Sequence, residues 1–294
     1  MNSVLSSLGF GIVTASILLP AAVGFTLQFS ATGVLNIAFG AQMTFAAYIA
    51  FICTQAGVNI WLALLLAGVF GAVFSGLLNR FLLTPFARRG TTFFGMVVVT
   101  IALALLIEYL VEIIWGTMSV DYGMPGTGVV HLGAMSFTHS QLVVMAIGLV
   151  IAVATHSLLK YTRIGKAIRA VASNTELARS SGIPAQRITD TAWLISGLMG
   201  GVAGVMLGIS LSSVSYTMGD TFLIEIIAAA VLGGVGQVYG AMLGALAIGV
   251  LLEESAIVLG GAYAPISAFA VLILVLLVRP TGIMAGAAEA KGIA

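Results

Sequence analysis

The chain has 294 residues with a net charge of +1, yet only 7% are charged while 60% are hydrophobic, and its mean hydropathy is +1.17. A water-soluble domain carries about 25% charged residues to cover its surface, so a soluble globular protein is excluded. Long apolar runs recur from end to end without the alternation of a membrane barrel, so the chain is predicted to cross a bilayer as helices of about 20 residues each.

Nine hydrophobic segments follow in chain order, at residues 9–29, 34–53, 60–82, 93–114, 140–159, 191–209, 222–238, 241–259 and 265–278. The expected fold is all-α, a polytopic transmembrane helical bundle of about 8–9 spans, forming one transmembrane domain over residues 1–294. Residues 1–9 contain no Lys or Arg, so the first segment is read as a retained span and not as a cleaved signal. The second segment opens on Val34-Leu35-Asn36-Ile37-Ala38-Phe39-Gly40, where Asn36 interrupts apolar sequence and Gln42 follows. After the third segment come Arg80, Arg88 and Arg89; the fourth carries Glu108 and Glu112. Residues 115–139 hold Asp121, Tyr122, Pro125 and several glycines and are read as turns.

The polar loop at 160–190 reads KYTRIGKAIRAVASNTELARSSGIPAQRITD. Ile164, Ala167, Ile168 and Val171 recur at helical spacing and form one apolar stripe, with Lys166 and Arg169 pointing elsewhere. Asn174, Thr175 and Glu176 begin a second short helix, which Gly182, Ile183 and Pro184 end. Two such helices at a membrane surface either rest on anionic headgroups or dock into a partner protein. Both readings stand on these residues alone.

The sixth segment carries Gly197, Gly200, Gly201, Gly204 and Gly208, a small-residue ridge suited to close helix packing. Val231-Leu232-Gly233-Gly234-Val235-Gly236-Gln237 resembles the interrupted opening of the second segment, and paired glycine-broken segments mark the binding site in repeat-built transporters. On that reading Asn36, Phe39, Gln42, Gly233, Gly234 and Gln237 line a translocation path. Glu253 and Glu254 end the eighth segment, and Arg279 and Lys291 follow the ninth. Basic loops stay cytoplasmic, and the basic clusters are separated by two and by four spans. All eleven basic residues then share the inner side, the amino terminus lies outside and the carboxyl terminus inside.

Enzyme signatures are missing. Gly165-Lys166 is followed by Ala167, so there is no phosphate-cradling loop. His131, His139 and His156 are scattered, and Cys53 is the single cysteine, so no metal site is expected.

The run RIGKAIRAVASNTELARSSGIP, with ISGLMGGVAGVMLG, AAAVLGGVGQVYGAMLGALAIGVLLE, the closing LILVLLVRPTGI and the opening GFTLQFSATGVLNIAFGAQMTFAAY, resembles permeases of branched-chain amino acid ATP-binding-cassette (ABC) importers, the shorter H type in particular. The resemblance implies a non-catalytic subunit of a bacterial-type inner membrane that pairs with a second permease of the M type. Two cytoplasmic ATPases would hold the ATP and magnesium, with no cofactor on this chain. A soluble binding protein would deliver the solute, and no nucleic acid is involved. It places the ATPase-coupling segment on Arg163, Gly165, Lys166, Arg169, Glu176, Ala178 and Gly182. Related permeases carry urea and short amides. A self-sufficient carrier or channel using the membrane acids is the rival from another class. Glu108, Glu112, Glu253 and Glu254 depart from the family's pattern.

Overall fold

Among the described residues, each of the nine apolar segments is helical over most of its length. The computed structural model describes residues 2–124, 128–132, 135–260, 264–278 and 282–283. In chain order the helices are α1 (Asn2–Thr32), α2 (Phe39–Gln55), α3 (Ile60–Leu78), α4 (Thr84–Arg88), α5 (Phe93–Trp115), α6 (His139–Tyr161), α7 (Arg163–Ser173), α8 (Thr175–Ser180), α9 (Ala185–Leu211), α10 (Met218–Gly233), α11 (Val238–Leu259) and α12 (Ala264–Val278). Among the described residues six helices are long and apolar enough to cross a membrane by themselves; α2, α10 and α12 are shorter. Between α5 and α6, where turns were expected, β1 (Val129–Leu132) pairs antiparallel with β2 (Met135–Thr138), Val129 opposite Thr138. Arg279, Lys291 and Pro125, used in the sequence reading, lie outside the described residues.

The chain divides into two compact units. The first comprises residues 1–26, 124–152 and 224–294, and is held by backbone approaches that only small residues permit. A Cβ on Gly249 of α11 would meet the Ala15 backbone at 2.5 Å, and one on Gly148 of α6 would meet the Ser16 carbonyl at 2.8 Å. Gly233 and Gly240 press backbone on backbone, which folds α10 and α11 into a hairpin about the turn at Gly234 and Gly236, where φ is +110° and +84°.

The second unit comprises residues 27–123 and 153–223. Its centre is α9, enclosed along most of its length, against which α3 and α2 pack. The glycine ridge read from the sequence is the reason. Gly197 lies on the Gly71 carbonyl, Gly201 on the Ala67 carbonyl at 2.6 Å and Gly204 on the Met43 carbonyl, so the backbones touch with no side chain between them. Without a hydrophobic drive between helices in lipid, such contact is what holds them. Phe45, Phe70 and Phe74 fill the space beside this contact, with ring centroids 5.1–5.6 Å apart. Away from α9, α3 and α5 turn broad apolar faces outward, with Leu65, Phe94 and Ile113 all exposed.

Candidate functional site

The polar loop folds as its pattern predicts, into two short helices. Thr162 caps α7, its Oγ1 accepting from the Gly165 amide at 3.0 Å, and Asn174 caps α8, its Oδ1 accepting from the Leu177 amide at 2.9 Å. At the other end of α8, Gly182 takes φ +82° and donates to the Arg179 carbonyl, while Ile183 donates to that of Ala178. This is the paired helix-end pattern that a left-handed residue makes possible.

Burial sorts the loop into two faces. Ile168 and Val171 of α7, with Gly165, Ala178 and Ala185, are buried. Val171, Ala178 and Ala185 form one cluster, with Ile183 and Ile188 packed against it. Gly165 sits on the Leu158 carbonyl and the Leu159 Cα, where any side chain would collide. The opposite face presents Arg163, Lys166, Arg169, Glu176 and Gly182 to solvent, with Leu177 and Tyr161 exposed beside them. Ile164, assigned to the apolar stripe, is 46% exposed and belongs to this outer face. Of the seven residues of the segment, Gly165 and Ala178 therefore seat it and the other five face outward.

The interrupted opening of the second segment is not helical, where the sequence suggested a continuous span. Residues 33–36 have no regular structure, Ile37 and Ala38 turn, and α2 starts at Phe39. Gly33 takes φ +66°, ending α1. Irregular backbone at membrane depth needs partners from the protein, and Thr100 of α5 is one: its Oγ1 accepts from the Ile37 amide at 3.3 Å, and its one hydrogen is shared between the Leu35 carbonyl at 3.1 Å and the Val97 carbonyl of its own helix at 2.9 Å. Asn36 Nδ2 donates to Gln28 Oε1 at 2.8 Å, and Gln28 Nε2 donates to Ser75 Oγ at 3.1 Å, a polar chain buried across α1 and α3. Asn36 Oδ1 and both amide atoms of Gln42 are buried without a hydrogen-bond partner. Phe39 lies against Gly200, whose Cβ would meet its ring at 3.0 Å. Asn36, Phe39 and Gln42 thus belong to the second unit, while Gly233, Gly234 and Gln237 belong to the first. Gln237 is exposed and begins α11, its amide donating to the Gly234 carbonyl at 2.9 Å. Gln28, Ser75 and Thr100 were missed in the sequence reading; the one signal was a glutamine inside the apolar run of α1.

Three of the four unexplained acids, Glu108, Glu253 and Glu254, acquire partners. Glu253 accepts from Thr14 Oγ1 at 2.8 Å and Glu254 from Ser7 Oγ at 2.7 Å, which ties α11 to α1 within the first unit. Glu225 lies within electrostatic reach of Glu253. In the second unit the Glu108 and Asp220 carboxyl groups face each other. Glu112 is half-buried on α5. Beyond α5, Tyr122 is buried, its Oη donating to the Ala47 carbonyl at 3.3 Å, and burial pushes its phenol well above the ordinary value.

A family model described as branched-chain amino acid transport system, permease component, matches residues 7–287. The high-affinity branched-chain amino acid transport system permease protein LivH of Salmonella typhimurium is 29% identical over 277 residues, covering 90% of this chain and 89% of that protein. The probable branched-chain amino acid transport permease protein LivH of Methanocaldococcus jannaschii is 28% identical, over 92% and 90% respectively. The ribose import permease protein RbsC of Escherichia coli is 35% identical over 100 residues, 32% of this chain and 31% of that one. Among solved structures, PsaBC from Streptococcus pneumoniae in complex with Fab shares the fold at a TM-score of 0.54 and 12% identity, over 92% of this chain and 91% of that one.

Proposed function

We infer that this chain, which belongs to the branched-chain amino acid transport permease family, is a membrane-spanning subunit of an ABC importer and forms half of the path for branched-chain or other apolar amino acids. It is a multi-pass protein of the inner membrane and a transport component, not a catalyst. ATP hydrolysis belongs to ATPase partners, and a soluble binding protein supplies the solute. The observation that carries this reading is the family match across nearly the whole chain.

Two short capped helices with a cationic outward face support a docking role for the loop. The coupling contacts are Arg163, Lys166, Arg169, Glu176 and Gly182, set against Gly165 and Ala178. A cationic surface suits an acidic groove on the ATPase and would steer its association. The amino terminus lies outside, eight or nine segments cross the bilayer, and the partner permease is of the M type. ATP and magnesium are held by the two ATPases and not by this chain.

For the path we assign Asn36, Phe39, Gln42, Gly233, Gly234 and Gln237. Buried amide atoms normally find partners, and Asn36 Oδ1 and both amide atoms of Gln42 are left unanswered, which supports their contacting water or a zwitterionic solute. Neutral amides would serve a zwitterion without placing a net charge in the bilayer.

Reconstitution into vesicles tests the whole reading. With its ATPases, an M-type partner and a loaded binding protein, the chain should take up labelled leucine only when ATP is present on the cytoplasmic side. Uptake driven by a proton gradient with no ATPase present would overturn it.

A further inference from the structure

Near one end of the second unit, α3 widens before it becomes α4. The Thr84 amide donates to the Asn79 carbonyl five residues back, giving a wide turn over Asn79–Leu83. Pro85 follows directly; it has no amide hydrogen, and its ring crowds the carbonyl four residues earlier. Wide turns of this kind recur at functional positions in helices. In a regular α-helix, positions five apart diverge by about 140°. The wide turn brings Asn79 and Thr84 towards one face instead, and that face meets α9.

Gln186 and Asp190 stand opposite, one turn apart on α9 and hence on one face. Asn79 Nδ2 donates to Asp190 Oδ1 at 2.9 Å, and Gln186 Nε2 donates to the same oxygen at 3.1 Å and approaches Thr84 Oγ1 at 3.5 Å. Asn79 is 2% exposed. Asp190 is also close in sequence to the docking loop: Ala185 and Ile188, in the same first turns of α9, pack on Val171 of α7 and Ala178 of α8. A displacement of α7 and α8 therefore reaches the first turns of α9 by direct packing, and Asp190 is where α3 is attached to those turns by hydrogen bonds.

We propose that the Asn79–Asp190 clasp, set in register by the wide turn at Asn79–Leu83, is the joint through which movement of the docking helices is passed to α3. Asn79 and Asp190 are then positioning residues for ATP-driven transport. They touch neither solute nor ATPase. The proposal rests on α7 and α8 being the docking segment. Hydrogen bonds to a charged group are stronger than neutral ones, so this joint resists shear where an apolar contact would slide.

The test uses the complete complex in vesicles, measuring labelled leucine imported per ATP hydrolysed. Wild type must first couple uptake to ATP; if it does not, the reading of the chain as an ABC permease fails, and not this joint. Given a coupled wild type, Asn79→Leu should assemble with the ATPases and keep their turnover, while leucine moved per ATP falls about tenfold, the scale of losing one hydrogen bond to a charged group. Asn79→Asp keeps the side chain's size, sets two carboxylates against each other and should lose coupling to the same extent. Adding Asp190→Asn exchanges donor and acceptor, and should restore the ratio to within about twofold of wild type. The exchange also decides the matter if Asn79→Leu does not assemble. An unchanged ratio in Asn79→Asp, or a loss that Asp190→Asn does not recover, overturns the proposal.

Discussion

Glycine serves two separate purposes in this chain, and the two predict different costs. At Gly71 the constraint is space: a Cβ would strike the Gly197 carbonyl. Gly71→Val should therefore push α3 off α9 and destabilise the protein by about 1–3 kcal/mol, the usual penalty of overpacking, read as a lower melting temperature in detergent. At Gly182 nothing lies within 4 Å, but φ is +82°, and a left-handed L-residue costs about 1–2 kcal/mol. Gly182→Ala should loosen the end of α8 while leaving the melting of the bundle nearly unchanged. Tyr122 adds a pH dependence. Its phenol is held neutral by burial, above its unfolded value of about 10. Its contribution is complete below pH 10 and is lost as the pH rises further, when the unfolded chain ionises first. Stability measured from pH 8 to 11 should fall more steeply in wild type than in Tyr122→Phe. Gly71 and Gly197 could be read as packing residues from spacing alone; that they face each other could not.

The loop at 160–190, the segment proposed for docking, is the element most legible in the sequence, because its signals are local. Caps, helix ends and apolar spacing involve residues within one or two turns of each other. Asn174 shows the dependence most directly, since its side chain starts α8 and its backbone ends α7. Asn174→Ala should cost about 1 kcal/mol, seen as amide hydrogen exchange about fivefold faster across residues 175–180. Ile164 was misassigned because a helix with two partly apolar faces leaves the buried one to be chosen by whatever packs against it. Here that is the end of α6, admitted by Gly165. The start of α2 was misread for a related reason. Hydropathy registers residues 34–38 as membrane sequence, while the Thr100 and Thr32 hydroxyls and the Gln28 amide answer the polar groups of the unwound stretch.

At the scale of the whole molecule, charge placement and partner recognition belong together. On the proposed topology, which puts the loop at 160–190 on the cytoplasmic side, Lys166 should react with an amine reagent in inverted vesicles and not in intact cells. Arg169→Glu reverses one charge on the outward face without touching the buried cluster. It should reduce co-purification of the ATPases about tenfold at low salt while the chain still inserts and melts as wild type.

Composition and apolar run length were enough to settle that the chain is a helical membrane protein and roughly where its apolar helices lie, since lipid demands that backbone polar groups be satisfied within a helix. Local patterning settled the two surface helices. What the tertiary structure alone decided is how the polar side chains inside the membrane are answered. Asn79 finds Asp190 across 111 positions, Thr100 finds Leu35 across 65, and Gln28 finds Ser75 across 47. A buried polar group must be paired wherever its partner lies. The pairing depends on which helices touch, and glycine contacts between residues as distant as Gly71 and Gly197 set that.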